Sequence, residues 1–146
     1  MLLGLRPKSL EGATLSEALR QLAERFSRDS RIACKYRADG EARDLPAEIQ
    51  DELYRVAQEA LSNVLKHSRA TSVSLLLVCG PGVVVFRIKD NGQGFGAAKP
   101  QAGGHGYGLA TMRERAHRLG GNIEIDSAPG NGTEVTITVP LRGEIK

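Results

Sequence analysis

Asp90-Asn91-Gly92-Gln93-Gly94-Phe95 is the stretch on which the reading of this chain turns. Immediately upstream, Val83 to Asp90 alternates so that Val84, Phe86, Ile88 and Asp90 share one strand face, which sets a carboxylate on the apolar side of a sheet. A carboxylate in that position needs a partner to offset its lost hydration. Gly92 and Gly94 follow at once and let the backbone turn sharply and approach a flat ligand with no Cβ in the way. The loop reads as the rim of a nucleotide pocket.

Working outward, Ser72 to Cys79 and Val83 to Asp90 are Leu- and Val-rich runs joined by Gly80-Pro81-Gly82, a hairpin suited to the middle of a sheet. Downstream, Gly96 to Gly104 contains Pro100 and no apolar period, which marks a mobile loop. Leu109 to Leu119 then reads as a helix stopped by Gly120-Gly121, with Leu109, Met112, Ala116 and Leu119 on one side and Arg113, Glu114, Arg115 and Arg118 elsewhere. Two strands follow, Asn122 to Asp126 and Glu134 to Val139, separated by a turn over Pro129 to Gly132.

On the N-terminal side, Pro46 opens a long helix expected to run to about His67, with Ile49, Leu53, Val56, Ala57, Ala60, Leu61, Val64 and Leu65 forming a broad buried face. Before it, Arg31 to Ala38 alternates as a strand ending in an Asp39-Gly40 turn. Thr14-Leu15-Ser16-Glu17 is a capping box opening an amphipathic helix to about Arg28 through Leu15, Ala18, Leu19, Leu22 and Phe26. Residues 1–13 show no sustained period and read as a linker, 14–141 as one domain and 142–146 as a tail. The element order implies an α+β protein.

Composition narrows the function classes. The 146 residues, 40% of them hydrophobic, suffice for one sizeable core. Twenty basic against seventeen acidic residues leave a net charge of +3, too balanced to imply nucleic-acid or membrane binding. Three Phe, three Tyr and no Trp offer little for stacking on single-stranded bases. Cys34 and Cys79 stand apart in strand-like runs, with no metal-ligand spacing and no disulfide framework, and read as small buried hydrophobes of a reducing, cytosolic compartment. No apolar run reaches the roughly 18 to 20 residues that span a bilayer.

Three patterns bear on chemistry. Gly92-Gln93-Gly94-Phe95-Gly96-Ala97 matches a dinucleotide-binding fingerprint in form, yet Lys99, Pro100 and the glycines beyond forbid the helix it should open. Gly103-Gly104-His105-Gly106-Tyr107-Gly108 precedes a helix, so it is either a phosphate cradle of free N–H groups at a positive dipole end or a glycine-rich linker. Glu59, Asn63 and Lys66 lie at i, i+4 and i+7 on the long helix, with His67 at its end; taken alone they make an ordinary solvated face.

In combination, Glu59-x-x-x-Asn63-x-x-Lys66-His67, Asp90-x-Gly92-x-Gly94 and Gly104-x-Gly106-x-Gly108-Leu109 closely resemble the boxes of the ATP-binding catalytic domain of sensor histidine kinases, in the superfamily of gyrase B and mismatch-repair ATPases. Residues 61–68, 108–116 and 130–135 resemble the nitrate-sensor type, and Leu5-Arg6-Pro7 resembles that type's junction after its dimerisation helices. The resemblance covers about residues 5–140. It implies the Bergerat ATP-binding fold, a two-layer sandwich whose mixed sheet is covered on one face by three helices.

The resemblance also implies roles. Asp90 would accept the adenine amino hydrogens, a contact that rejects guanine's carbonyl at the same place. Thr133 would support that edge through water, and Gly92 and Gly94 would let the backbone lie against the base. Asn63 would share Mg2+ with phosphate oxygens, Lys66 and His67 would neutralise phosphate charge, and Gly104, Gly106, Gly108 and Leu109 would close over the ATP. Glu59 would orient or deprotonate the attacking group. The expected enzyme is a protein histidine kinase fragment that donates the γ-phosphoryl group to a His on a separate dimerisation domain, for relay to an Asp in a response regulator receiver domain. No helical pair bearing such a His precedes residue 5, His67, His105 and His117 fall in the site, the lid and the last helix, and the Phe-rich box of larger kinases is missing. The chain is expected to be monomeric and cytoplasmic and to make no direct nucleic-acid contact, with a membrane anchor in the parent protein left open. An anti-sigma-factor-type serine kinase and a non-catalytic ATP-binding module are the rival readings.

Overall fold

Period-two apolar runs build a five-stranded sheet in the computed structural model, which describes residues 9–40, 45–93 and 109–141. In chain order the strands are β1 (Ala33–Gly40), β2 (Ser72–Gly80), β3 (Val83–Asp90), β4 (Asn122–Ser127) and β5 (Thr133–Pro140). They lie side by side as β1-β2-β3-β5-β4. β1 runs parallel to β2 and every other pair is antiparallel, so the sheet is mixed. The parallel pair needs a crossover, which the long helix supplies.

The central strands carry the core. Val84, Phe86 and Ile88 on β3 lie opposite Cys79, Leu77 and Leu75 on β2 and Val139, Ile137 and Val135 on β5. All of these except the half-buried Cys79 are buried. Three helices cover that face: α1 (Leu15–Ser30), α2 (Ala47–Asn63) and α3 (Leu109–Arg118). The capping box forms as expected, Thr14 Oγ1 accepting the Glu17 N–H and Glu17 Oε1 accepting the Thr14 N–H, each at 3.1 Å. α1 continues two residues beyond Arg28 because the Ser30 hydroxyl donates back to the Phe26 carbonyl, and Arg31 at φ 68° then turns the chain into β1.

Two stretches differ from the periodic reading. The helix expected to reach His67 is α-helical only to Asn63, and Val64–Ser68 forms a π turn closed by Arg69 at φ 58°. A π turn takes an extra residue per hydrogen-bonded ring, so side chains after Asn63 no longer follow the i, i+4 spacing. Leu65, expected on the buried face, is consequently 41% exposed. Leu10, inside the stretch expected as linker, sits in a short 3₁₀ turn (Ser9–Gly12) and is buried in the core.

Candidate functional site

Strand alternation delivers Asp90 to the inner face as its spacing predicts, and only 7% of it is exposed. Its neighbours are the ends of two strands, since Asp90 lies opposite Val73 on β2 and Thr133 on β5. The Gly92 N–H donates to Asp90 Oδ1 at 2.7 Å, within two residues of the carboxylate itself. Burial pushes the Asp90 carboxyl above its ordinary value, and hydrogen bonds from the Gly92 and Thr133 backbone hold it down in part. The result is a carboxylate kept at the end of the central strand by backbone donors, with no cation paired to it among the described residues.

The loop is tied down on both sides. Asn91 Oδ1 accepts the N–H groups of Thr71 and Ser72 at 2.9 and 3.0 Å, and Asn91 Nδ2 donates to Thr71 Oγ1 at 3.0 Å. The Gly130 N–H donates to the Gln93 carbonyl at 2.6 Å, so the turn before β5 packs along the same loop. Thr133 Oγ1 is 2.8 Å from Ser127 Oγ, a hydroxyl pair beside Asp90 that sets how Thr133 presents its oxygen. Ser127, Asn91 and Gly132 are not among the site residues the motifs single out, although Asn91 lies inside the Asp90–Phe95 stretch and Gly132 inside the Gly-Asn-Gly-Thr stretch at 130–133.

Gly132 holds this corner together. Its φ is +77°, and a Cβ there would stand 2.1 Å from the Asp90 carbonyl oxygen. Gly132→Ala must therefore either strain the backbone or push β5 off the Asp90 loop, and the expected loss is about 2 to 4 kcal/mol of folding stability. Chemical denaturation compared with Gly130→Ala, where φ is +82° but nothing lies within 4 Å, separates the two causes. Equal losses in both variants would show that φ alone matters.

α2 brings the second group of residues. Glu59 and Asn63 are half-buried on its last two turns, and Lys66 is exposed on the π turn. The π turn removes Lys66 and His67 from strict α spacing with Glu59 and Asn63, so the stripe drawn from the sequence is continuous only through Asn63. Burial pushes the Glu59 carboxyl up, opposed by Arg115 of α3, whose Nε lies 3.9 Å from Glu59 Oε1. Arg115, read from sequence as outside the apolar stripe, is half-buried against α2 and donates from Nη1 to Glu52 Oε1 at 2.8 Å. Its place one residue before the buried Ala116 was the only hint of this.

Gly94, Gly104, Gly106 and Gly108, the loop Gly96 to Gly104, and the side chains of His67 and Leu109 lie outside the described residues. Among the described residues no cluster of three or more His, Cys, Asp or Glu could hold a metal ion. Asn63 alone offers one side-chain carbonyl oxygen, which fits a hard cation only where phosphate oxygens and waters complete its shell. A cleft of about 280 Å³ opens at Asp90, lined by β1, β2 and β3 residues that include Lys35, Val73, Lys89 and Asp90, together with Asn91 and Asn131; neither Glu59 nor Asn63 lines it. The two cysteines are free, and burial pushes the Cys34 thiol up to about 12, which removes it as a nucleophile at neutral pH.

A mixed sheet with helices on one face and a carboxylate at the end of its central strand places the chain in the class of α+β sandwich domains built to hold a nucleotide. Residues 48–143 match the family of histidine kinase-, DNA gyrase B- and HSP90-like ATPases. The chain belongs to that family, and ATP is the ligand of its domain. It is 37% identical over 146 residues to sensor histidine kinase LiaS of Bacillus subtilis (strain 168), covering 100% of this chain and 39% of that protein. It is 35% identical over 144 residues to sensor protein VraS of Staphylococcus haemolyticus, covering 99% and 40%. The chain thus spans about two fifths of the length of these relatives. Among solved structures it is similar to the Erythrobacter litoralis EL346 blue-light activated histidine kinase, with a TM-score of 0.71 and 25% identity over 90% of this chain and 43% of that one. The histidine kinase domain of the same protein superposes with a TM-score of 0.67 over 88% of this chain and 65% of that one. No helix among the described residues is long and apolar enough to cross a membrane.

Proposed function

We propose that this chain is the catalytic domain of a sensor histidine kinase, holding ATP and giving its γ-phosphoryl group to a His on a dimerisation domain, from which it passes to an Asp of a response regulator receiver domain. The observation that carries the reading is Asp90, a buried carboxylate held by the Gly92 and Thr133 backbone at the end of the central strand. Its function there is to accept the adenine amino hydrogens, with Thr133 and Ser127 supporting the same edge. The subtype that residues 61–68, 108–116 and 130–135 resemble is the nitrate-sensor type. The boundaries of the linker, domain and tail at 13/14 and 141/142 belong to the same proposal.

The phosphoryl transfer is in line. The bond from the γ-phosphorus to the β–γ bridging oxygen breaks as the acceptor ring nitrogen bonds to that phosphorus, and ADP leaves with the bridging oxygen. Glu59 accepts the ring N–H of the attacking imidazole and orients it, a task suited to a half-buried carboxylate. Lys66 and His67 offset phosphate charge from the π turn, and the glycines at 104, 106 and 108 with Leu109 enclose the phosphates. Asn63 is the residue that would hold Mg2+, and the cation would supply charge neutralisation at the phosphates. Label moving from ATP to a supplied dimerisation domain tests the reading, and a chain that binds ATP yet never transfers it speaks for a regulatory module.

Asn63→Ala separates metal from base. It should abolish the gain in affinity that Mg2+ confers on ATP and leave adenosine binding within about twofold, because the lost oxygen faces the cation. Calorimetric titrations with adenosine, ATP and ATP plus Mg2+ check this; equal weakening of all three would make Asn63 a structural residue.

A further inference from the structure

Two buried polar atoms face one another between α2 and α3, and neither has a hydrogen-bond partner among the described residues: Glu59 Oε1 and Arg115 Nε. They are 3.9 Å apart, roughly 1 Å beyond a charge-assisted hydrogen bond. The same guanidinium is committed at its other end, with Nη1 2.8 Å from Glu52 Oε1. Glu52 and Glu59 lie seven residues apart, two turns along one side of α2, and α3 inserts Arg115 between them.

We infer that Arg115 is a positioning residue for Glu59, anchored by Glu52 so that its Nε–H is held within a short movement of the carboxylate that must be aimed at the attacking group. This inference rests on the proposed role of Glu59. An arginine is what the geometry requires, because its planar fork can donate to two carboxylates at once from separate nitrogens, whereas an ammonium is a point charge on a flexible stem. Closing the gap satisfies two orphaned buried atoms together, which gives the pair a preferred second arrangement rather than free play. Of the charged groups on the described residues, Arg115 is the one that acts on Glu59; on α2 itself Glu52 and Arg55 stand on neighbouring turns, Arg55 donating to Gln58 at 3.5 Å. A guanidinium that served only to pin α3 onto α2 would be complete with Glu52 and would have no reason to leave Nε buried against Glu59.

The test is a double-mutant comparison on this chain, with phosphoryl transfer from ATP to a supplied His-bearing dimerisation domain as the rate, calorimetry for ATP affinity, and thermal melts for folding. Arg115→Met should lower the rate at saturating ATP about tenfold or more while ATP affinity changes less than about twofold, and Arg115→Lys should retain an intermediate rate. In a Glu59→Gln background, Arg115→Met should cost less than about twofold further, because the residue through which it acts is gone. A full tenfold loss in that background would overturn the inference and leave Arg115 a clamp between helices. If Glu59→Gln alone kept the wild-type rate, the role given to Glu59 would fall and the inference with it, a result distinguishable from the first. Should Arg115→Met fail to fold, Arg115→Lys carries the same comparison, with an expected loss of about threefold alone and almost none in the Glu59→Gln background.

Discussion

Asp90→Asn should weaken ATP binding by about 2 to 4 kcal/mol, roughly 30- to 1,000-fold, the cost of losing a hydrogen bond to a charged acceptor and leaving a polar group facing the wrong partner. The fold should survive. The side-chain oxygen of Asn can still accept the Gly92 N–H that Asp90 accepts at 2.7 Å, and removal of a charge that burial disfavours offsets a weakened bond from the Thr133 backbone. At neutral pH the melting temperature should therefore change little while ATP affinity collapses, a combination that a simple packing defect cannot produce. Calorimetry and thermal melts on one preparation check both halves; unchanged ATP affinity would remove Asp90 from the site.

The same carboxylate sets a pH dependence whose sign differs for stability and for binding. Burial raises Asp90 above 3.8 and Glu59 above 4.5, whereas in the unfolded chain both return to ordinary values. Between the ordinary and the raised values the folded state holds more protons than the unfolded one, so stability from these two groups grows as pH falls through that window. ATP affinity should move the other way, since a protonated Asp90 has lost the charge that accepts the adenine amino group. In Asp90→Asn the share of both trends owed to Asp90 disappears, leaving that of Glu59.

The parts of the molecule that could be read from the chain are those governed by a single local period. Val84, Phe86, Ile88 and Asp90 are inward because strand alternation admits no other solution once the first of them is buried, and Thr14 and Glu17 cap α1 because their reach is three residues. Leu65 was misplaced because a π turn leaves no periodic trace: its spacing from Leu61 is that of a continuing α-helix. Leu10 was overlooked because one buried leucine in a Gly- and Pro-rich stretch has no period at all. Arg115, Gly132 and Ser127 required tertiary knowledge. Each acts across elements, Arg115 from α3 to α2 and Gly132 from the turn before β5 to the Asp90 carbonyl, and no spacing along the chain encodes which turn will meet which strand end. The candidate site was legible in its types of residue, through a resemblance of several boxes together, and illegible in the contacts that hold those residues in place.

The isolated chain should bind ATP and fail to phosphorylate itself, transferring phosphate only when a His-bearing dimerisation domain is supplied. In-line transfer needs an acceptor nitrogen about 3 to 3.5 Å from the γ-phosphorus with its lone pair on the axis of the breaking bond. His117 is exposed on α3, a helix fixed to the sheet through the buried Met112 and Ala116, so its ring cannot travel to the end of α2 without unpacking the core. His67 is read as a residue that binds the phosphates, a role distinct from that of the acceptor. A separate domain escapes this constraint because it can dock, present its imidazole and withdraw. Tethering raises the effective concentration of that acceptor into the millimolar range for a short flexible linker, so a fusion should react faster than a mixture at micromolar protein by about two to three orders of magnitude where docking is weak. Incubation with labelled ATP of the chain alone, the mixture and the fusion orders the three outcomes. Stoichiometric acid-labile label on the chain alone would place the acceptor within these 146 residues and end the reading of a catalytic domain that works on a separate His.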